Sequence, residues 1–186
     1  FKKGRVTGLV WPNGSGKTTL LNVISGMLPI DGGSVVLGGE ELKRISPEDI
    51  PFYGMTRTFQ NVRLFEQMKV LDNILVVLTE RNVWGAIFEK HKSHHAKKAE
   101  EVLRRVGLWE KRGELAVNLS YGQRKLLEIG RALAMNAEVY LLDEPFAGLF
   151  PEMVKIISGI VRELRDRGKT VILVEHDLHI IRELGD

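Results

Sequence analysis

The sequence predicts an α/β fold: a mainly parallel sheet flanked by helices, with an α-helical lobe inserted into it. Three observations lead there. VYLLDEP (139–145) and TVILVEH (170–176) are continuous apolar runs of strand length, as expected for strands covered on both faces. Between them PEMVKIISGIVRELRDRG (151–168) places Met153, Ile156, Ile157, Ile160, Val161 and Leu164 on one helical face and ends at Gly168, so the order is strand, helix, strand, that of a parallel crossover. From about Val62 to Asn118 the strand pattern gives way to helical periodicity in VLDNILVVL and HAKKAEEVLRRVGL, broken by Gly, Asn and Trp near residue 82. The chain therefore reads as one domain with a core of residues 1–61 and 124–186 and a helical lobe over about 62–123.

The earlier elements follow in order. RVTGLV (5–10) is a short β-rich segment that leads into a glycine loop. Thr19 to Leu28 then sets Leu20, Val23, Ile24 and Met27 at helical spacing, with Gly26 and Pro29 marking the end. SVVLGG and TRTFQ read as further short strands. SPED (46–49) is a helix start, with Ser46 as the cap and Pro47 at the first helical position.

Composition narrows the function classes. The chain has 186 residues, 44% hydrophobic and 27% charged, the balance of a globular domain large enough to bury a core. No uncharged apolar run approaches the roughly 20 residues that span a bilayer, and the N-terminus lacks the pattern of a signal peptide. With no cysteine there is no disulfide framework, thiol catalysis or Cys-ligated zinc; this fits a cytoplasmic location. The net charge of +3 is dispersed over helix-like segments rather than gathered in a stripe, which speaks against nucleic acid as a partner. Three histidines in HKSHHAKK (91–98) could bind a metal, but the patch reads as a solvated helix end or loop.

Four stretches carry chemistry. LVWPNGSGKTTLLN (9–22) matches the second half of the phosphate-loop pattern G-x-x-x-x-G-K-[ST]; where the first glycine is expected stands Trp11. Small residues let backbone N–H groups and a helix N-terminus face a polyphosphate, which makes Asn13, Gly14, Ser15, Gly16, Lys17, Thr18 and Thr19 candidate nucleotide ligands. Lys17 would reach the β- and γ-phosphates, and the Thr18 hydroxyl would ligate Mg²⁺. VYLLDEP delivers Asp143 and Glu144 at the end of a buried strand, where ligands of open α/β sheets sit. Asp143 suits the Mg²⁺ shell, and Glu144 suits a general base that polarises water at the γ-phosphate. TVILVEHD brings His176 to the same sheet edge as a donor to the terminal phosphate. In NLSYGQRKLLEIGRAL (118–133), Ser120 fits an N-cap and Gly122 lets a backbone approach closely, giving a second anion-binding helix start. Two such starts in one chain make sense if two copies face one another with each ATP clamped between them.

In this order the stretches resemble the ATPase subunit of an ATP-binding-cassette (ABC) transporter, a P-loop NTPase fold. The resemblance runs through the phosphate loop (11–18), the glutamine loop at Gln60, the signature LSYGQ (119–123), the strand ending at Glu144, the loop AGLFP (147–151) and the switch His176. RTFQNVRLFEQMKVLDNIL and LLDEPFAGL look most similar to ATPases of branched-chain amino-acid uptake; relatives for urea, short amides or lipopolysaccharide share much of this wording. The resemblance implies an ATP- and Mg²⁺-dependent ATPase, peripheral on the inner face of the cell membrane. Its partners would be transmembrane permeases and a second ATPase subunit, identical or not. It further implies that Gln60 joins Thr18 and Asp143 at the metal, that Glu144, His176 and Gln60 serve catalysis, and that Ser120, Tyr121, Gly122 and Gln123 meet the partner's nucleotide. The chain departs from the family in four ways: it starts without the upstream strands and the adenine-stacking aromatic, it stops before the final elements, it has Phe150 where Asp or Asn is common, and it has Trp11. Crowding at Trp11 predicts weakened rather than abolished ATP binding. The competing expectation is a nucleotide-binding module with impaired turnover; the intact Lys17, Asp143, Glu144, Ser120 and His176 argue against it. A chromosome or DNA-repair ATPase is disfavoured because no sustained heptads interrupt the chain.

Overall fold

A computed structural model describes residues 1–10, 15–78 and 89–185, with the backbone alone for 89–93. The chain divides into two units. The first comprises Phe1–Gln60, Ala137–Pro145 and Ser158–Asp186, and the second Asn61–Asn136 and Phe146–Ile157.

The first unit is built on four parallel strands, β1 (Val6–Leu9), β4 (Met55–Arg57), β5 (Val139–Asp143) and β6 (Thr170–Val174), in the spatial order β1-β6-β5-β4. Register runs Val6↔Val171 through Leu9↔Val174, Val139↔Thr170 through Asp143↔Val174, and Met55↔Val139 through Arg57↔Leu141. All five residues of β6 are buried, which is why its sequence lacks any polar alternation. A separate antiparallel pair, β2 (Val35–Leu37) and β3 (Glu40–Leu42), turns through Gly38 and Gly39, both at positive φ. Helix α1 (Lys17–Ile24) packs Leu21 and Ile24 into a cluster with Leu9, Met55, Leu141, Ile172 and Val174.

In α5 (Pro151–Asp166) the predicted face is buried at Ile157, Ile160, Val161 and Leu164, and Gly168 follows it at φ +75°. The short α6 (Leu178–Leu184) is capped by Asp177, whose carboxylate accepts the His179 N–H at 2.8 Å. One expectation is corrected. SPED forms only a single 3₁₀ turn, Pro47–Asp49, and the Ser46 side chain makes no capping bond. Proline at the first helical position does start a turn, but three residues give no second one to propagate it.

The second unit is helical: α2 (Val70–Leu78), α3 (Glu89–Arg105) and α4 (Tyr121–Ala134). These helices meet at Gly130, where an added Cβ would lie 3.3 Å from Ile74, 3.4 Å from Val102 and 3.5 Å from Val106. The histidine patch 91–98 lies within α3, and the expected break near residue 82 falls outside the described residues. Among the described residues no helix is long and apolar enough to cross a membrane.

Candidate functional site

Parallel strands present all their carboxyl ends on one edge, and each of the four parallel strands leads to a predicted residue there. Residues 10–16 follow β1 and lead into α1. Gly16, at φ +90°, caps that helix in a left-handed conformation that a side chain would strain. Lys17 is buried, while Ser15, Gly16, Thr18 and Thr19 are exposed. Gln60 follows β4, Glu144 follows β5 and His176 follows β6. Ser15, Gly16, Lys17, Thr18, Thr19, Gln60, Glu144 and His176 line one open cleft of about 550 Å³, a size that suits a nucleotide-scale ligand. Trp11, Asn13 and Gly14 lie outside the described residues.

Within the cleft the carboxylate of Glu144 accepts two hydrogen bonds. Gln60 Nε2 donates to Oε2 at 3.1 Å, and His176 Nε2 lies 2.7 Å from Oε1. A carboxylate only accepts, so the imidazole proton of this contact sits on Nε2. The Glu144 backbone has φ +48°, a left-handed conformation uncommon outside glycine, and its N–H donates to Val174 O at 3.0 Å. The sharp turn lifts Glu144 out of the strand direction immediately after buried Asp143.

Asp143 has a partner that the sequence reading did not single out. Arg57, at the end of β4, donates from Nη2 to Asp143 Oδ2 at 3.1 Å, and the two side chains are only 5% and 3% exposed. The same guanidinium donates from Nη1 to Asn22 Oδ1 and Ser25 Oγ, each at 2.7 Å, on the last turns of α1. Its Cζ lies over the Phe59 ring, 4.9 Å from the ring centroid. Next to it, Thr58 Oγ1 accepts the Asp143 backbone N–H at 3.2 Å. The available signal was one arginine inside an otherwise strand-like TRTFQ, since a charged residue in a covered strand needs a buried partner.

The signature residues belong to the second unit and form a complete capping box at the start of α4. Ser120 Oγ accepts the Gln123 N–H at 3.3 Å, and Gln123 Oε1 accepts the Ser120 N–H at 3.0 Å. Such reciprocal capping contributes about 1 kcal/mol. Tyr121 is exposed, and its ring edge lies 3.5 Å from where a Cβ at Gly148 would stand.

Gly122 has a packing role besides any approach to a ligand: a Cβ there would lie 2.2 Å from Met153 Sδ and 3.3 Å from Leu149 Cδ2. Because a thioether can swing aside, Gly122→Ala is expected to cost about 1–2 kcal/mol, and Met153→Ala in the same chain to recover most of it. Unfolding midpoints of the two variants and the double variant measure this, and equal losses with and without Met153 would remove the contact as the cause. Phe150, in the same unit, is exposed.

Burial lowers the Arg131 guanidinium below the usual arginine range, with nearby Glu128 opposing the shift. Arg131 covers the Phe65 ring at 5.0 Å and donates to Arg63 O at 2.6 Å, and so holds the segment after Gln60 onto α4.

Known proteins resemble this chain over nearly its whole length. The ABC transporter family model matches residues 1–147. The high-affinity branched-chain amino acid transport ATP-binding protein LivG of Escherichia coli (strain K12) is 35% identical over 190 residues, covering 97% of this chain and 74% of its own length. A solved ATP-binding cassette of an ABC transporter in its ADP conformation superposes with a TM-score of 0.82 at 36% identity, over 99% of this chain and 75% of that one. A dimeric ATP-binding cassette in a post-hydrolysis state, bound to ADP and Pi, gives a TM-score of 0.85 at 26% identity, over 98% and 79%.

Proposed function

The chain belongs to the ABC transporter family as one of its ATPases, and from that premise we propose that it hydrolyses ATP with Mg²⁺ to drive uptake of branched-chain or related amino acids. The observation that carries the ATPase chemistry is the cleft in which Lys17, Thr18, Gln60, Glu144 and His176 converge at the carboxyl ends of four parallel strands. The amino-acid reading rests on the 35% identity to LivG, a branched-chain amino acid transport protein.

In this reading the backbone of residues 13–19 and Lys17 hold the phosphates. The donor set suits Mg²⁺: the Thr18 hydroxyl, the Gln60 amide oxygen and the single Asp143 carboxylate are hard oxygen ligands, few enough to leave room for phosphate and water. When bound, the ion neutralises charge on the phosphates. Glu144 takes a proton from water at the γ-phosphate, and His176 donates to that phosphate. With Gln60 and His176 both on Glu144, the base is held until one of them turns to the nucleotide.

Ser120 and the Gly122 N–H complete the site of a second ATPase subunit, a pairing supported by the dimeric relative. Membrane permeases receive the motion through the helical second unit, with the chain peripheral on the cytoplasmic face. The decisive test is phosphate release from ATP with and without Mg²⁺, followed by uptake of labelled leucine or urea into vesicles holding the permeases. Absence of Mg²⁺-dependent release would overturn the ATPase reading. Urea accumulation without leucine would overturn the amino-acid reading alone.

A further inference from the structure

We propose that Arg57 is a positioning residue for the metal-binding acid: it orients the Asp143 carboxylate, ties it to the phosphate-loop helix α1, and thereby sets how strongly a divalent cation adds to nucleotide binding. This rests on the reading of Asp143 as a Mg²⁺ ligand. Three observations carry it.

The first is register. Arg57 pairs with Leu141, so Asp143, two residues further along β5, projects from the same sheet face within diagonal reach. The second is the way one rigid fork serves separate elements. Nη2 engages Asp143 Oδ2, while Nη1 engages Asn22 and Ser25 at the end of α1. The helix that opens with Lys17 and Thr18 is thus fastened at its far end to the acid expected to share a metal with Thr18. A lysine carries the same charge but cannot span these partners.

The third observation is burial. An ion pair this enclosed is generally no more stabilising than apolar packing of the same volume. Fold stability alone therefore gives little reason for an arginine here. Fixing one oxygen and the plane of a ligating carboxylate is what groups behind a metal ligand do, and their loss typically lowers metal affinity about 10–100-fold.

The experiment is calorimetric titration of the full chain with a non-hydrolysable ATP analogue, with and without Mg²⁺, taking the ratio of the two affinities. Arg57→Met is expected to lower this ratio by about tenfold or more, with metal-free affinity within about twofold of the original protein. Asn22→Ala leaves the ion pair intact but loosens the fork, and is expected to lower the ratio about two- to threefold. It decides the matter if Arg57→Met does not fold. In an Asp143→Asn background neither substitution should lower the ratio further.

An unchanged ratio in both variants, metal-free affinity that falls in step with it, or full additivity with Asp143→Asn would each overturn the proposal. A ratio of one in the unsubstituted chain would instead overturn the Mg²⁺ reading of Asp143, and this proposal with it. That outcome is distinguishable because it appears before any variant is compared.

Discussion

Glu144→Gln is expected to lower phosphate release by a factor on the order of 10²–10⁴, with nucleotide affinity held within about twofold. Gln has nearly the same volume as Glu. It cannot accept a proton from water at neutral pH. It also offers one acceptor and one donor where the carboxylate offers two acceptors. The contacts at 3.1 Å from Gln60 and 2.7 Å from His176 therefore cannot both persist unless one partner reorients.

The loss is expected in turnover rather than in binding, because the phosphates are held by other groups in the proposed reading. Single-turnover phosphate release beside equilibrium nucleotide titration separates the two. A Gln variant that still turned over at more than a tenth of the original rate would remove Glu144 as the base.

Gly26→Ala is expected to destabilise the chain by about 2–5 kcal/mol, the sum of about 1–2 for left-handed backbone and about 1–3 for crowding. Gly26 has φ +69° at the end of α1, where its N–H donates to Val23 O at 3.1 Å. A Cβ would meet Ile45 O at 2.8 Å, Pro47 N at 2.9 Å and Ser46 C at 2.9 Å. All three are backbone atoms, so no rotamer change relieves the contact, in contrast to Gly122 against Met153. Gly33 provides the control: it also has positive φ, at +82°, but nothing within 4 Å of a Cβ. Gly33→Ala should show only the backbone contribution, about 1–2 kcal/mol. Denaturant midpoints of the two variants test the difference, and equal shifts would eliminate crowding at Gly26. If the residues that open α1 hold the phosphates as proposed, saturating nucleotide should recover part of the Gly26→Ala loss by mass action.

The parts of the fold that could be read from sequence are those whose cause is local. β5 and β6 announce themselves because a strand covered on both faces has no reason to alternate. The apolar stripe of α5 and the glycine after it follow from the helical period alone. Ser120 was legible as a cap, and the S-x-x-Q spacing to Gln123 carries the full capping box. SPED shows the opposite case, a correct start signal with no length behind it.

What escaped is what depends on distance along the chain. Arg57 and Asp143 are 86 positions apart, and nothing in TRTFQ says which acid its arginine will meet. At Gly122 the sequence offers a reason for glycine in ligand approach, but not the second one, the side chain of Met153 that a Cβ would meet. That Glu144 and His176 share a sheet edge was legible because each follows a buried strand of one parallel sheet, whereas Gln60 was legible only through the family resemblance. The two hydrogen bonds that join them were not.

The left-handed backbone of Glu144 makes this position a place where two selections oppose each other. For a residue other than glycine, such a conformation costs roughly 1–2 kcal/mol, and Asn tolerates it better than Glu does. Selection for heat tolerance alone should favour Glu144→Asn or Glu144→Gly and would count the change as an improvement. Selection for turnover should reject it at once. A library screened by both criteria would split at this codon, and the split would date the loss of function in any lineage that had stopped using the site.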